Sequence, residues 1–342
     1  TDYSNKYKGP FLYTSELGYK FLKKSSLVKG DILISNVGAN AGLVYRAPNM
    51  DVPMTLGPNS ILVRSDGNDT EFLYQMMKTT YGEKKIKEQI GISAQPKFNK
   101  TEFRQIDFFL PSNDEQKQIG TMFSQLDKTI ALHQRQLDNY KDLKKAMMQK
   151  IFNQELCLKD EEGNEYPEWE EKKVSDLFSI TRGVVISKPS ISEHKSLETP
   201  YPVFSSQTSN FGILGWSSEY DFEGLYLTWT TDGAGAGKVF SRTGKFRCTN
   251  VCGVLVGKIE SYSNSCIKEL LEKETPKHVS YVGNPKLMNN VMGQIKITVP
   301  SLKEQLAISC LFELFDREIL FQENLIEKLR EQKEGLMQQM FV

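Results

Sequence analysis

The stretch QIDFFLPSNDEQKQIG at residues 105–120 recurs as QIKITVPSLKEQLAIS at residues 294–309, with an offset of 189 residues. The correspondence continues without a gap, so that residues 105–152 align with residues 294–341. A repeat of this length, separated by different sequence, is typical of a chain built from two similar halves in tandem. The positions that are identical 189 residues later are Gln105, Ile106, Pro111, Ser112, Glu115, Gln116, Ile119, Phe123, Asp127, Ile130, Lys144, Met148, Gln149 and Phe152.

Each copy of the repeat is predicted to form one long helix. Apolar residues recur at alternating spacings of four and three residues in both copies, which is the pattern of a coiled-coil seam. The predicted helix-packing residues are Ile119, Phe123, Leu126 and Ile130 in the first copy, and Ile308, Phe312, Phe315 and Ile319 in the second.

Two polar positions interrupt the seam at equivalent places, His133 with Gln322 and Lys144 with Lys333. A polar residue at a seam position lowers stability but can fix the register and the partner of a helix. These side chains either serve that purpose or reach solvent at the edge of the seam, and the sequence leaves both interpretations open.

Both helices are predicted to begin in the same way. Ser112 with Glu115, and Ser301 with Glu304, have the Ser-x-x-Glu spacing of a capping box. In that motif the serine accepts from the backbone N–H three residues on, and the glutamate reaches back to the N–H of the cap. The proline before each serine discourages helix further upstream.

Composition and length set the class of protein. The chain has 342 residues, of which 39% are hydrophobic and 25% charged, as expected of a protein with more than one domain and no membrane association. The five cysteines include no CxxC pair and there are only three histidines, which predicts a reducing compartment, the cytoplasm, and no zinc site. Cys248 and Cys252 are expected to be small buried residues on one face of a strand.

The charge distribution favours nucleic acid more than the net charge of zero does. Residues 1–110 and residues 172–299 each carry 15 Lys and Arg against 11 Asp and Glu, whereas the remainder carries 13 against 21. The basic surplus therefore lies in the two stretches that precede the predicted long helices. A normally solvated surface is the alternative explanation.

These two stretches share one plan. The first is expected to contain strands at 30–35, 43–45 and 59–64, a helix at 70–89 and a strand at 105–110. The second is expected to contain strands at 224–228, 238–240 and 251–257, a helix near 263–273 and a segment at 294–299 that leads into the second long helix.

A glycine-rich loop separates the first two strands of each stretch, at residues 38–42 (the first glycine loop) and residues 233–237 (the second glycine loop). A Gly-x-Gly-x-Gly run can cradle a nucleotide or S-adenosylmethionine when a helix N-terminus follows. Strands are expected to follow both loops instead, so each is interpreted as a hairpin or a close approach of the backbone. Gln95-Pro96-Lys97 is echoed by Asn284-Pro285-Lys286, which lacks the second proline and the aromatic residue of amino-methyltransferases.

Two globular stretches, each followed by Pro-x-x-x-Glu-Gln-x-x-Ile and a long helix, with Pro167 to Trp169 opening the second, resemble the specificity subunit of type I restriction-modification systems. The resemblance implies an α+β fold with two similar α/β target-recognition domains, joined by two long helices that form an antiparallel coiled coil with a pseudo-twofold internal repeat. The expected boundaries are residues 1–110 for the first domain, 111–158 for the first spacer helix, 159–299 for the second domain and 300–342 for the second helix. The first domain is expected to be incomplete at its N-terminus.

The same resemblance implies the function. The subunit is expected to read a bipartite double-stranded DNA target with a fixed gap and to dock methyltransferase and restriction endonuclease subunits. It is expected to be non-catalytic, with S-adenosylmethionine, ATP and Mg bound by the partner subunits and no metal or cofactor in this chain. A coiled-coil scaffold with weak or no DNA specificity is the alternative.

The helix length agrees with a split target. A helix of about 37 residues is about 55 Å long, against about 34–36 Å for one turn of B-DNA. Candidate DNA contacts are the polar and basic residues that flank the two glycine loops, because such side chains contact phosphates and base edges. They are Ser35, Asn36, Asn40, Tyr45, Arg46, Thr230, Thr231, Lys238, Arg242, Lys245 and Arg247.

Overall fold

The computed structural model describes residues 12–91 and 96–341. Residues 1–11 and 92–95 of the predicted first domain, including Gln95, and Val342 of the second predicted helix lie outside the described residues.

Within these ranges the chain forms thirteen strands and nine α-helices. The strands are β1 Ser26–Leu27, β2 Ile32–Ser35, β3 Val44–Arg46, β4 Met54–Thr55, β5 Ser60–Val63, β6 Glu170–Lys173, β7 Phe178–Arg182, β8 Tyr201–Phe204, β9 Ile213–Ser217, β10 Phe222–Thr230, β11 Val239–Cys248, β12 Cys252–Gly257 and β13 Lys296–Val299. The helices are α1 Glu16–Phe21, α2 Thr70–Met77, α3 Thr80–Lys87, α4 Lys100–Phe103, α5 Asn113–Phe152, α6 Val174–Leu177, α7 Ser265–Glu274, α8 Asn289–Gln294 and α9 Leu302–Met340.

The two long helices, α5 and α9, occupy the repeated stretches and contain 40 and 39 residues. The Ser112 hydroxyl accepts from the backbone N–H of Glu115, and the Ser301 hydroxyl from that of Glu304, both at 3.4 Å. In a capping box the glutamate also accepts from the backbone N–H of the serine. Glu304 Oε2 does not make this bond, because it is buried and has no hydrogen-bond partner among the described residues.

The helix predicted at residues 70–89 is wrong as a single element, because α2 ends at Met77 and α3 begins at Thr80. The Thr79 hydroxyl donates to Met76 O at 2.6 Å and accepts from Gly82 N at 3.0 Å, so Thr79 caps the second helix instead of continuing the first. Gly82 permits the tight turn, since a Cβ there would lie 2.2 Å from Met76 O.

The strand predicted at residues 105–110 is also absent from the described residues. The equivalent segment of the second copy is a strand, β13, because β6 pairs with it antiparallel from Glu170 to Lys173. No described segment supplies such a partner to residues 105–110, and a β-segment without a neighbour has no backbone ladder to hold it.

The chain divides into two compact units, of which the first comprises residues 1–137 and 321–342. Its main sheet has the strand order β3-β2-β5, with both pairings antiparallel, and β1 pairs with β4. Isoleucines of β2 and the apolar face of α2 form the core, and the packed residues include Ile32, Ile34, Phe72, Met76 and Phe123.

The second unit, residues 138–320, contains a six-stranded sheet of order β7-β12-β10-β11-β8-β9. Four of its five pairings are antiparallel and β8 pairs parallel with β11. Its β11-β10-β12 core has the order and direction of β3-β2-β5 in the first unit. One cluster of apolar residues joins the sheet, α7 and the long helices, with Trp229, Phe178, Ile267 and Phe312 at its centre.

A glutamine of the repeat docks each long helix onto its own unit. In the first unit Gln116 Nε2 donates to Pro111 O at 2.9 Å, and its Oε1 accepts from the backbone N–H of Asp69, the N-cap of α2, at 3.1 Å. In the second unit Gln305 Nε2 donates to Pro300 O at 2.8 Å, and its Oε1 accepts from Asn264, the N-cap of α7, at 2.9 Å. The glutamine of the repeated Glu-Gln dipeptide therefore has the same structural role in both copies, which is to attach the start of the long helix to the N-cap of a neighbouring helix.

The first part of α5 and the last part of α9 run antiparallel within the first unit. The ring of Phe123 lies 5.7 Å from that of Phe341, and Lys333 Nζ lies 2.6 Å from Asp127 Oδ1. His133 Nδ1 is 2.9 Å from Gln322 Oε1. Of the predicted packing residues here, Ile119 and Phe123 are buried and Leu126 and Ile130 are half-buried.

The other parts of the two helices make equivalent contacts within the second unit. The rings of Phe152 and Phe312 are 5.7 Å apart, and Lys144 Nζ lies 2.6 Å from Asp316 Oδ1. The predicted packing residues Ile308 and Phe312 are buried, and Phe315 and Ile319 are half-buried. The Lys144 and Lys333 side chains are 16% and 14% exposed, so both lysines form ion pairs at the seam instead of extending into solvent.

We expect Phe312→Ala to lower the free energy of unfolding by about 3–5 kcal/mol, because it leaves a cavity where a buried ring packs on Phe152. Leu314→Ala, two residues away on α9 at a position that is 54% exposed, is the matched control and is expected to change it by less than about 0.5 kcal/mol. Chemical denaturation of both variants measures the difference, and similar losses in the two would contradict the packing described here.

We expect Glu304→Gln to stabilise the protein at pH 7 by about 1 kcal/mol, the order of the cost of an unpaired buried polar group. Burial raises the pKa of Glu304, although a hydrogen bond with Trp169 lowers it. A raised folded-state pKa means that stability is lost as the pH rises through that pKa, so the advantage of glutamine should shrink as the pH falls towards the unfolded pKa.

The control for that substitution is Glu115→Gln at the equivalent position of α5, where the glutamate is exposed. It is expected to be neutral or slightly destabilising, since a carboxylate favours a helix N-terminus. Thermal unfolding of both variants between pH 5 and pH 8 measures the difference. Equal changes in stability for Glu304→Gln and Glu115→Gln would argue against a burial penalty at Glu304.

Candidate functional site

The first glycine loop is the turn of a β-hairpin. Gly42 N donates to Ser35 O at 2.7 Å and Ser35 N donates to Leu43 O at 2.9 Å, which extends the pairing of β2 with β3 up to the loop. Gly38 and Gly42 have φ angles of +83° and +90°, which L side chains rarely adopt.

The second glycine loop has the same main-chain geometry between β10 and β11. Gly237 N donates to Thr230 O at 2.8 Å, Thr230 N donates to Lys238 O at 3.0 Å, and Gly233 and Gly237 also have positive φ. The hairpin interpretation is confirmed for both loops. Because a strand follows each loop, neither presents the helix N-terminus that a phosphate-binding glycine loop requires.

A proline-containing segment anchors each hairpin from the side. Gly38 N donates to Pro96 O at 2.8 Å in the first unit, and Gly233 N donates to Pro285 O at 3.0 Å in the second. The echo of Pro96-Lys97 in Pro285-Lys286 is therefore structural. Both loops are held by main-chain hydrogen bonds, so their side chains remain available for other contacts.

In the first unit the candidate residues differ widely in exposure. Asn40 is exposed on the first glycine loop, whereas Ser35 is buried, contrary to a role in surface contact. Asn36 Nδ2 donates to Phe98 O at 3.1 Å, and the Tyr45 hydroxyl lies 2.5 Å from the Ser60 hydroxyl. The Asn36 Nδ2 group and the Tyr45 hydroxyl thus already have partners within the unit, whereas Asn36 Oδ1 is buried without a hydrogen-bond partner among the described residues.

Arg46, also in the first unit, lies in a set of local contacts. Its guanidinium is 2.8 Å from Glu71 Oε2 and 4.3 Å from the ring centre of Tyr74, and its Nη1 donates to Gly30 O. The residue is half-buried, so its charge is largely compensated inside the unit.

In the second unit Lys238 is exposed directly after the second glycine loop, with its Nζ 5.4 Å from the ring centre of Phe240. Thr230 and Thr231 are buried and the Thr231 hydroxyl donates to Asp232 at 2.6 Å, so neither threonine lies at the surface, where the sequence predicts that they contact DNA. Burial follows from their position at the end of β10, the central strand of the β11-β10-β12 core.

The structure also places Arg242 in the interior of the second unit and not on the surface, where the sequence predicts that it contacts DNA. Arg242 is only 7% exposed, and burial lowers the pKa of its guanidinium to about 10. Its Nε donates to Thr228 Oγ1 at 3.1 Å and its Nη1 to Phe211 O at 2.7 Å. The guanidinium also stacks 3.6 Å from the ring centre of Phe204.

Two further basic candidates on β11 are paired with acidic side chains. Arg247 lies 2.9 Å from Glu219 and 3.1 Å from Asp221, with a side chain only 13% exposed. Lys245 lies 3.7 Å from Glu223, and a hydrogen bond with Tyr220 raises the pKa of its ammonium group. Of the two, Lys245 retains more access to an external phosphate.

A segment that sequence reasoning missed lies against the second glycine loop. Residues 205–212, here called the covering loop, connect β8 to β9, and a Cβ on Gly235 would lie 2.3 Å from Thr208 Cγ2. The covering loop carries Phe211, which is 79% exposed. Its run of small polar residues, SSQTSN at 205–210, followed by an aromatic residue is the signal that could have identified it.

Cys248 and Cys252 are small buried residues as expected, but they lie on two strands, β11 and β12, and not on one face of a single strand. Cys248 and Cys252 are buried, with their Sγ atoms 3.4 Å apart. Within the described ranges no three His, Cys, Asp or Glu residues are grouped so as to hold a metal ion. The described helices include none with the length and apolar character needed to cross a membrane.

The comparison with protein families decides the class. A family model described as the type I restriction modification DNA specificity domain matches residues 2–140 and 166–331, so each matched block contains one glycine hairpin and most of one long helix. The chain belongs to this family.

Individual relatives agree with that membership. The chain is 33% identical over 226 residues to a putative type I specificity subunit of Mycoplasma pneumoniae, covering 65% of this chain and 80% of the relative. It is 40% identical over 144 residues to the N-terminus of another putative type I specificity subunit from the same organism, covering 42% of this chain and 75% of that sequence. The fold is similar to that of the type I restriction-modification S subunit from M. genitalium, with a TM-score of 0.65 and 16% identity over 92% of this chain and 83% of that one.

We expect Lys238→Ala to weaken binding of the chain to double-stranded DNA by roughly three- to tenfold near 0.1 M salt, as loss of one phosphate contact does. The slope of log affinity against log salt should fall by about 0.9. Lys258→Ala is the control, because Lys258 is also exposed but follows the end of β12 that is remote from the second glycine loop. An unchanged slope for Lys238→Ala would remove this residue from the interface.

Proposed function

We propose that the chain is the specificity subunit of a type I restriction-modification complex and that it reads a split double-stranded DNA target with a fixed gap. Each unit would bind one half of the target at its glycine hairpin. The observation that carries the proposal is the duplication of that hairpin, with its proline anchor, in the two blocks that match the DNA specificity family.

The arrangement that we propose for α5 and α9 is an antiparallel coiled coil with pseudo-twofold symmetry. Its support is that contacts recur under the 189-residue offset. Lys144 pairs with Asp316 as Lys333 pairs with Asp127, and both pairs have a distance of 2.6 Å. The rings of Phe152 and Phe312, like those of Phe123 and Phe341, are separated by 5.7 Å.

One contact gives this proposal particular support. His133 and Gln322 are themselves 189 residues apart, and they hydrogen-bond to each other at 2.9 Å. A residue near a twofold axis is expected to contact its own equivalent in the other half. We therefore propose that the axis passes close to this pair.

The length of the helices suits a gapped target. A helix of 40 residues has a length of about 60 Å, and one turn of B-DNA measures about 34–36 Å. DNA-binding elements that such helices separate would contact one duplex at two places along its length, which is how a fixed gap between half-sites arises.

We further propose that the chain is non-catalytic and acts through methyltransferase and restriction endonuclease subunits. The hairpin character of both glycine loops supports this, because catalytic use of a glycine loop on S-adenosylmethionine or a nucleotide wants a helix N-terminus. S-adenosylmethionine, ATP and Mg would then be bound by the partner subunits.

The experiment that tests the proposed function is a genome-wide map of N6-methyladenine in cells with and without the gene for this chain, both retaining the partner subunits. We expect methylation to disappear from one split motif with a fixed gap and to return when the wild-type gene is restored. Such a motif would also give the length of the gap.

An unchanged methylation map would contradict the proposal and favour a coiled-coil scaffold that has little or no DNA specificity. Loss of methylation at a continuous motif would keep the DNA-binding role and refute the division of the target between two units.

A further inference from the structure

The covering loop of the second unit holds an aromatic side chain in an unusual way. Phe211 is 79% exposed, and its φ of +51° follows a φ of +47° at Asn210. Gly212 continues the left-handed conformation with a φ of +82°. Asparagine and glycine tolerate this region, but a bulky residue in it is an outlier that the surrounding structure must maintain.

The buried Arg242 maintains it. Its Nη1 donates to Phe211 O at 2.7 Å, while its Nε is fixed by Thr228 of the central strand β10. The guanidinium is stacked 3.6 Å from the ring centre of Phe204 and 4.5 Å from that of Phe240, so it has little freedom to move. The charged donor thus fixes the carbonyl of the same residue whose side chain is exposed.

The main chain and one amide side chain close the loop around that point. Ser205 N donates to Gly212 O at 3.0 Å, and the Gln207 amide donates to Ile213 O. These bonds order the backbone of the loop, and the Phe211 ring remains exposed. The backbone that carries the ring is therefore preorganised for binding, because little main-chain freedom remains to be lost.

The place of the loop indicates what it binds. Thr208 of the covering loop lies against Gly235 of the second glycine loop, and the exposed Lys238 follows that loop. The covering loop itself carries Ser, Thr, Gln and Asn but no charged residue. Neutral hydroxyl and amide side chains beside a lysine are suited to base edges and phosphates.

We propose that Phe211 is a wedge that enters the base stack of the DNA half-site bound by the second unit. This inference rests on the proposed function. Apolar side chains inserted between base pairs partly unstack the duplex, and an aromatic face stacks on any base. Arg242 acts as a positioning residue that holds the wedge in its orientation.

The experiment uses the full chain assembled with its methyltransferase subunits. The probe is a duplex that carries the split motif from the methylation map, with a single 2-aminopurine placed in turn at each step of both half-sites. This base fluoresces more strongly when it is unstacked. The wild-type complex is expected to raise the fluorescence at one step within one half-site.

Phe211→Asn is the informative substitution, because asparagine tolerates the left-handed backbone and lacks the ring. It is expected to abolish the fluorescence rise and to weaken binding about tenfold, within the contribution of one aromatic–base stack. Phe211→Trp should retain the rise. Leu197→Ala, at a fully exposed leucine of the same unit, is the control and should behave like wild type.

The outcomes separate this inference from the proposed function. Failure of the wild-type complex to bind the motif overturns the proposed function, and the wedge with it. Normal binding and an unchanged fluorescence rise in Phe211→Asn overturn the wedge alone. A variant that keeps the fluorescence rise but assembles poorly with the methyltransferase subunits would mean that Phe211 contacts a protein, which also overturns the wedge.

Discussion

Packing of one phenylalanine near each end of each long helix is the constraint on which the fold depends. Phe123 of α5 lies in the core of the first unit, and Phe152 of the same helix packs on Phe312 in the second. Phe341 near the end of α9 returns to the first core. Neither helix needs strong intrinsic helicity, because tertiary packing of its apolar positions supplies most of the stability of a helix in a protein. The apolar spacing of the repeat is thus a packing requirement at two places on one helix.

Polar residues add specificity to this packing. A lysine at a seam position would weaken a purely apolar interface, but Lys144 and Lys333 each reach an aspartate that the repeat also supplies. The favourable ion pair forms in only one alignment of the two segments, and a shifted or reversed alignment would leave a largely buried ammonium group without a partner. Such a charge is costly, so the two ion pairs favour the observed alignment of the segments.

The hairpins and the covering loop show how one unit can keep its backbone while its surface chemistry varies. Main-chain hydrogen bonds to Pro96 and Pro285 hold the glycine loops, and they do not depend on which side chains the loops carry. Arg242 does the same for the covering loop by donating to a main-chain carbonyl. The main-chain conformation of the glycine loops therefore does not depend on exposed side chains such as Asn40 and Lys238.

The sequence by itself determined the elements that repeat and are local. These elements are the two copies of the 189-residue repeat, the helices with apolar spacings of three and four, and the glycine loops. Each can be recognised from a short stretch of sequence, because the backbone conformation there depends on nearby residues. The tertiary structure alone decided which polar residues reach the surface, because burial depends on neighbours distant in the chain. Arg242 counts as a basic surface residue in the sequence, but Thr228, Phe204 and Phe211 enclose it. Phe211 looks like a core residue and is exposed, since its orientation follows from a hydrogen bond to a residue 31 positions away.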